Sequence, residues 1–232
     1  MNRKDIFYLS LLAHELKSPL NTILNTTKLI ELTLDENNLE KIKNYLCFII
    51  SEILYLKNYI SNTIELGKIE LGKRDIIVEE VDLLVILKEI VEITRILIGN
   101  KPIEVKTDFP YKKFLIYSDP VILRQILLNI ASNAAKYTQK GHILYSLMIF
   151  PDSITIKIED TGRGMDRKVL EQIFTPYFSM PSNPDIARES SGIGLYVTKK
   201  LLKLINGSIS IESVYGKGTS VYISIPSNFK KQ

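Results

Sequence analysis

Two runs of apolar residues at helical spacing constrain this chain more than any other feature. Ile6, Leu9, Ala13, Leu16, Leu20, Ile23, Thr27 and Ile30 advance by alternating steps of three and four, and Leu39, Ile42, Leu46, Ile49, Ile53, Leu56, Ile60 and Thr63 repeat the alternation. That is the period of helices wound around one another in a left-handed sense. The polar break "LDENN" at 34–38 separates the runs, so the spacing predicts two long helices folded back as an antiparallel hairpin. Tyr8, Leu12, Leu24, Tyr45, Ile50, Leu54 and Tyr59 fall off both seams. One hairpin leaves them bare. A second copy would cover them in a four-helix bundle, so residues 1–70 are read as a homodimerisation element; packing on the rest of the same chain is the alternative.

Inside the first run, "AHELKSPLNTI" carries Pro19. A proline in a helix interior removes the bond to the carbonyl four residues back, here that of Glu15, at a cost of about 3 kcal/mol. A kink one turn beyond His14 is expected, loosening the helix beside the only histidine in this half of the chain.

Composition excludes several classes. The net charge of +4 over 232 residues is spread in short pairs such as Lys112-Lys113 and Lys199-Lys200, which does not make a nucleic-acid groove. Cys47 is the single cysteine and stands among Leu46, Phe48, Ile49 and Ile50; it rules out an internal disulfide or a multi-cysteine metal site and reads as a packed thiol in a reducing compartment. No apolar run reaches the roughly 18 residues of a membrane span, and residues 6–13 are too short for a signal peptide. The expectation is a cytoplasmic chain with no membrane contact of its own, free or as the cytoplasmic part of a tethered sensor.

Near residue 71 the pattern changes. "LGKRDIIVEEVD" brings Gly72, a charged stretch and a short β-branched run, which reads as a linker and first strand over 71–80 leading into a second domain at 76–228. Strands are expected at 76–80, 103–107, 142–150, 153–159, 208–213 and 219–225, with helices at 83–98, 120–137 and 194–205. That is an α+β arrangement, an α/β sandwich of mostly antiparallel strands with helices on one face. "SMPSNPDIARESSG" at 179–192 reads as a lid loop.

The helix at 120–137 places Gln125, Asn129, Asn133 and Lys136 on one narrow stripe. Asparagine is a poor mid-helix residue, so two in register ask for a reason other than solvation. In "IEDTGRGMD" a β-branched strand runs into Asp160, Gly162 and Gly164, a carboxylate acceptor beside backbone that a ligand can approach closely. "SSGIGLYVTKK" opens a helix with Gly192 and Gly194, whose free amides make an anion site. "GKGTS" at 216–220 lacks P-loop spacing, and no protein-kinase catalytic loop is present.

Taken in order, these segments resemble the catalytic core of sensor histidine kinases. "HELKSPL" resembles their H-box, "RQILLNIASNAAKYT" the N-box, "EDTGRGM" the G1 box, "IFTPYF" the F-box, "SGIGLYVTKKLL" the G2 box and "GKGTSVYISIP" the closing glycine segment. The resemblance implies an Hsp90-like ATP-binding domain after the hairpin. It implies His14 as the phosphoryl acceptor, Glu15 as the carboxylate that orients the imidazole, and Ser18, one turn on, as the residue that holds water for dephosphorylating a receiver. A carboxylate accepting one imidazole N–H raises the basicity of the other nitrogen, which suits those roles. It further implies Asn133 as the Mg²⁺ ligand, Asn129 as its polar neighbour, Lys136 as a phosphate contact and Tyr137 at the adenine. Asp160 would accept from the adenine amine, with Gly162 and Gly164 beside it. Gly192 and Gly194 would offer amides to phosphate, and Phe178, Ser191, Leu195 and Thr219 would complete the nucleotide contacts.

Three positions depart from the family pattern: Ser190 stands for a glycine, Ser179 for an arginine that Arg188 would replace, and Ser18 for a threonine or asparagine. The function implied is ATP- and Mg²⁺-dependent autophosphorylation of His14 in a homodimer, then transfer to an aspartate of a response-regulator receiver domain. A phosphotransfer scaffold without catalysis and an Hsp90-like ATPase without histidine chemistry are the alternatives.

Overall fold

The computed structural model describes residues 3–34, 38–110, 112–178 and 192–227; the side chains of 3–12 and of His14 fall outside that description. The chain divides into two compact units, Met1–Ile60 and Ser61–Gln232.

The first unit is the helical hairpin. Helix α1 spans Arg3–Leu34 without interruption through Pro19, and α2 spans Leu39–Glu70, its last ten residues belonging to the second unit. Asn38 caps the start of α2, its side chain accepting from Lys41 N at 3.1 Å. Tyr55 Oη donates to Glu15 Oε2 at 3.0 Å, and the two positions lie at nearly equal distances along the chain from 35–37, as an antiparallel pair requires. The buried stripe of α1 is Glu15, Pro19, Thr26 and Thr33. Its hydroxyls are satisfied on their own helix, Thr26 donating to Thr22 O at 2.8 Å and Thr33 to Leu29 O at 2.7 Å. The stripe therefore lies one position away from the seam that the apolar spacing predicts. Leu20, Leu46, Ile53 and Ile60 of those seams are exposed, and so are Leu24 and Ile50. Cys47 is exposed rather than packed, in a stretch of α2 where Leu46, Phe48 and Ile50 are exposed as well.

In the second unit, β1 (Glu79–Asp82) pairs antiparallel with β3 (Leu115–Ser118). A five-stranded sheet runs β2-β4-β5-β7-β6, with β2 (Ile103–Asp108) parallel to β4 (Gly141–Ile149) and the remaining pairs, through β5 (Ser153–Asp160), β7 (Gly218–Pro226) and β6 (Ser208–Val214), antiparallel. Alternation sets one face: Tyr145 stands opposite Ile158 and Ile158 opposite Val221, while Leu147, Ile156 and Ile223 form the next row. All six are buried. Helices α3 (Leu83–Ile98), α4 (Pro120–Tyr137) and α6 (Gly194–Leu204) pack on the sheet and on each other; α5 (Arg167–Leu170) is a single turn.

Differences from expectation are local. The first strand begins at Glu79 rather than 76 because Ile77 N donates to Asp119 Oδ2 at 3.1 Å instead of to a neighbouring strand. Arg74 ties the same segment to Glu65 of α2 and to Asp119, which also caps α4 through Val121 N and Ile122 N. Strand β3 and helix α5, four residues each, are too short to show a period. Among the described residues no helix is long and apolar enough to cross a membrane.

Candidate functional site

Helix α4 carries its polar stripe in two parts. Asn129 is buried, its side-chain nitrogen donating to Asn62 Oδ1 at 2.9 Å, to the Gly194 carbonyl at 3.2 Å and to Thr198 Oγ1 at 3.2 Å. Gln125 is likewise engaged by the end of α2. Asn133, one turn further on, is half-buried, and its amide has no hydrogen-bond partner among the described residues. At the C-terminal end of α4 the Lys101 ammonium donates to the carbonyls of Ala135 and Thr138 at 2.7 and 3.0 Å, capping the turn that holds Lys136 and Tyr137. Burial lowers the Lys101 pKa from its ordinary value.

That turn meets the end of β5. Arg163 N donates to the Tyr137 carbonyl at 3.2 Å, and the Tyr137 ring has the Lys136 ammonium 5.5 Å and the Arg163 guanidinium carbon 4.9 Å from its centroid. Asp160 lies beside it, its Oδ1 accepting from Gly162 N at 2.8 Å. Burial raises its pKa to about 6, against the opposing pull of the Gly162 and Thr219 amides and the Thr138 hydroxyl. Thr219 faces Asp160 directly across the β5–β7 ladder. Gly164 has a φ of 63°, and a Cβ there would run into the Val214 carbonyl; only glycine fits.

The F-box and the second glycine pair are joined by backbone. Tyr177, at a positive φ of 62°, donates its N–H to the Gly192 carbonyl at 3.1 Å, and a Cβ on Gly192 would strike the Phe178 backbone. Phe178 and Gly192 thus bring together the two ends of the segment expected to be a lid, while Ser191 and the rest of 179–191, with Ser179, Arg188 and Ser190, lie outside the described residues. Gly194 opens α6, whose first turn has no side-chain cap. Gly194 and the half-buried Leu195 stand there, the Gly194 carbonyl held by Asn129. So α4, the end of β5 and the start of α6 converge, bringing Asn133, Tyr137, Asp160, Gly162, Thr219 and Gly194 into one region.

On α1, His14 is helical and its side chain lies outside the described residues. Glu15 is buried with its carboxylate on Tyr55, and Ser18 is exposed. Asn62, Lys101, Thr138 and Arg163 adjoin the candidate site residues and were not singled out from the sequence. Thr138 and Arg163 lie within the quoted motifs "RQILLNIASNAAKYT" and "EDTGRGM". Lys101 and Asn62 give no local signal, since their partners lie 34 to 67 residues away. Among the described residues no group of three His, Cys, Asp or Glu side chains is placed to hold a metal.

Comparison with known proteins matches residues 8–72 to the His Kinase A (phospho-acceptor) domain and residues 118–228 to the histidine kinase-, DNA gyrase B-, and HSP90-like ATPase family. The autoinducer 2 sensor kinase/phosphatase LuxQ of Vibrio vulnificus is 32% identical over 228 residues, covering 94% of this chain and 26% of that protein. The aerobic respiration control sensor protein ArcB of Escherichia coli is 27% identical over 230 residues, covering 97% of this chain and 29% of that protein. The chain thus spans about a quarter of the length of these relatives. Among solved structures, Acinetobacter baumannii histidine kinase AdeS superposes with a TM-score of 0.62 at 17% identity, over 92% of this chain and 98% of that one. Full-length ShkA in complex with AMPPNP does so with a TM-score of 0.65 at 23% identity, over 97% of this chain and 46% of that one. The chain therefore belongs to the sensor histidine kinase family, joining a phospho-acceptor helical hairpin to an ATPase domain of the kind shared with DNA gyrase B and HSP90.

Proposed function

We propose that this chain uses ATP and Mg²⁺ to phosphorylate His14 and passes the phosphoryl group to an aspartate of a response-regulator receiver domain, acting as a homodimer in the cytoplasm. The observation that carries the nucleotide half is Asp160: a buried carboxylate with a raised pKa, at the mouth of a glycine turn, beside Tyr137 and two cations. A buried carboxylate of this kind suits an exocyclic amine as donor. The uncapped start of α6 suits phosphate. Asn133, with an amide that has no partner among the described residues, fits a Mg²⁺ that completes its shell with water and phosphate oxygens. When bound, that ion would neutralise charge on the transferring group. Positioning and charge neutralisation are what phosphoryl transfer asks of a protein. The domain boundaries proposed are 1–70 for dimerisation and phosphotransfer, a linker to 80, and 76–228 for nucleotide binding with a lid at 179–192. Exposed Leu20, Leu24, Leu46, Phe48, Ile53 and Ile60 support the homodimer, since one chain leaves them uncovered.

Incubation with γ-labelled ATP and Mg²⁺ tests the reading. An acid-labile, base-stable label, lost in His14→Ala and reduced in Asn133→Asp, is expected. Steady ATP hydrolysis with no label retained on the protein would overturn it.

A further inference from the structure

The connection from α3 to β2 lies against the C-terminal end of α4. Lys101 within it is anchored by its backbone on both sides, its N–H donating to the Ile98 carbonyl at 3.2 Å and its carbonyl accepting from Ile103 N at 2.7 Å. From this anchor the ammonium reaches across 34 and 37 positions of sequence to the carbonyls of Ala135 and Thr138. The neighbouring Pro102 carbonyl accepts from Gly141 N at 3.0 Å, so Lys101 and Pro102 bracket the short passage from α4 into β4. A helix leaves its last carbonyls without intrahelical partners, and their partial negative charge favours a cation. The two carbonyls held by Lys101 stand immediately on either side of Lys136 and Tyr137. Thr138 is wholly buried, and its hydroxyl favours the charged form of Asp160.

We propose that Lys101 is a positioning residue for nucleotide binding, holding the last turn of α4 so that the Tyr137 ring and the Asp160 carboxylate stand where the base is received. The inference rests on the function proposed above and deepens it, adding a residue outside the set expected to touch the nucleotide. One ammonium fixes the backbone on both sides of Tyr137, through Ala135 before it and Thr138 after it. Arg163 completes the hold, its N–H on the Tyr137 carbonyl and its guanidinium against the Tyr137 ring. With the ammonium removed, the Ala135 and Thr138 carbonyls must turn to water, and the turn frays as helix ends do. A looser turn has to be ordered when nucleotide binds, and that ordering is subtracted from affinity. Once nucleotide is bound the turn is restored, so the rate at saturation is untouched. An arginine presents a planar fork of donors and can serve the same two carbonyls.

Lys101→Met and Lys101→Arg test it, each measured for AMPPNP affinity, for the ATP dependence of His14 labelling and for thermal melting. Lys101→Met is expected to bind AMPPNP about tenfold more weakly, equivalent to ~1.4 kcal/mol. The ATP concentration for half-maximal labelling should rise by the same factor, with the rate at saturating ATP within about twofold of the parent. Lys101→Arg should return both to within about twofold. A Lys101→Met protein that melts lower yet binds AMPPNP like the parent would show a merely structural lysine and overturn the proposal, as would a loss of affinity that arginine does not restore. Should Lys101→Met lose its melting transition, Lys101→Gln decides by the same criteria. If the parent itself fails to bind AMPPNP, it is the nucleotide reading that fails. Positioning of the turn is then judged by hydrogen exchange at the Thr138 and Arg163 amides, where exchange about tenfold faster in Lys101→Met supports it and equal exchange refutes it.

Discussion

At Asp160, stability and binding pull in opposite directions. The free carboxyl titrates near 3.8 and the folded one at about 6. The folded protein therefore holds this proton more tightly, and its stability falls as pH rises from about 4 to 6, leaving a cost of about 3 kcal/mol above that range. Asp160→Asn should abolish this slope, so that the unliganded variant melts higher than the parent at pH 7.5 and no higher at pH 4. In the proposed site the same change turns an acceptor into a donor toward the adenine amine, and an unmatched buried donor costs about 1–3 kcal/mol. AMPPNP affinity should accordingly fall about ten- to a hundredfold, read by calorimetry at pH 7.5, and in the parent it should weaken as pH drops through 6. Ser18, exposed one turn beyond His14, calls for a different measurement. Ser18→Ala should leave His14 labelling near normal while slowing dephosphorylation of a purified receiver; equal loss of both would mean that Ser18 supports the helix. The turn that sets the Asp160 carboxylate on the Gly162 amide was legible because strand, carboxylate and glycines are contiguous. Asn62 was not, for its meaning depends on an amide 67 positions away.

Among elements, the long ones with a steady period were readable nearly to the residue: α3 and α4 begin where Asp82, Asp119 and Pro120 imply, and Gly99 ends α3. Misreadings arose where side chains outcompeted the local pattern. The run Ile76-Ile77-Val78 looks like a strand, yet the Asp119 carboxylate takes the Ile77 amide and delays β1 to Glu79. In the hairpin, apolar spacing correctly announced two helices but named the wrong inner stripe, because small hydroxylated residues that bond to their own backbone can be buried as readily as leucine. Pro19 belongs to that buried stripe. Restoring the amide with Pro19→Ala should stabilise the hairpin by up to about 3 kcal/mol in urea titration. If the loosened turn serves catalysis, the same variant should also label His14 more slowly; unchanged labelling and phosphotransfer would make the proline incidental.

For the molecule as a whole, the order of motifs announced a hairpin followed by an α/β sandwich, and the two family matches fall in that order. The partition at Ile60 was hidden, since α2 continues through it as one helix with no proline and no glycine before Gly67. Assembly gives a prediction at this scale. Introducing charge into the exposed apolar stripe, as Leu20→Glu with Ile53→Glu, should convert a dimer to a monomer by light scattering while AMPPNP affinity stays within about twofold. A parent that is already monomeric would remove the dimer reading.

The sheet ends in β2 on one side and β6 on the other. Both carry groups that discourage a further strand: exposed Glu104 and Lys106 on β2, and exposed Ser208, Ser210 and Glu212 on β6. Natural sheets guard unpaired margins with short strands and charge, which makes edge-to-edge growth unfavourable. The second unit is thereby protected against accretion into fibres, and in the proposed homodimer the task of bringing two chains together is left to the hairpin.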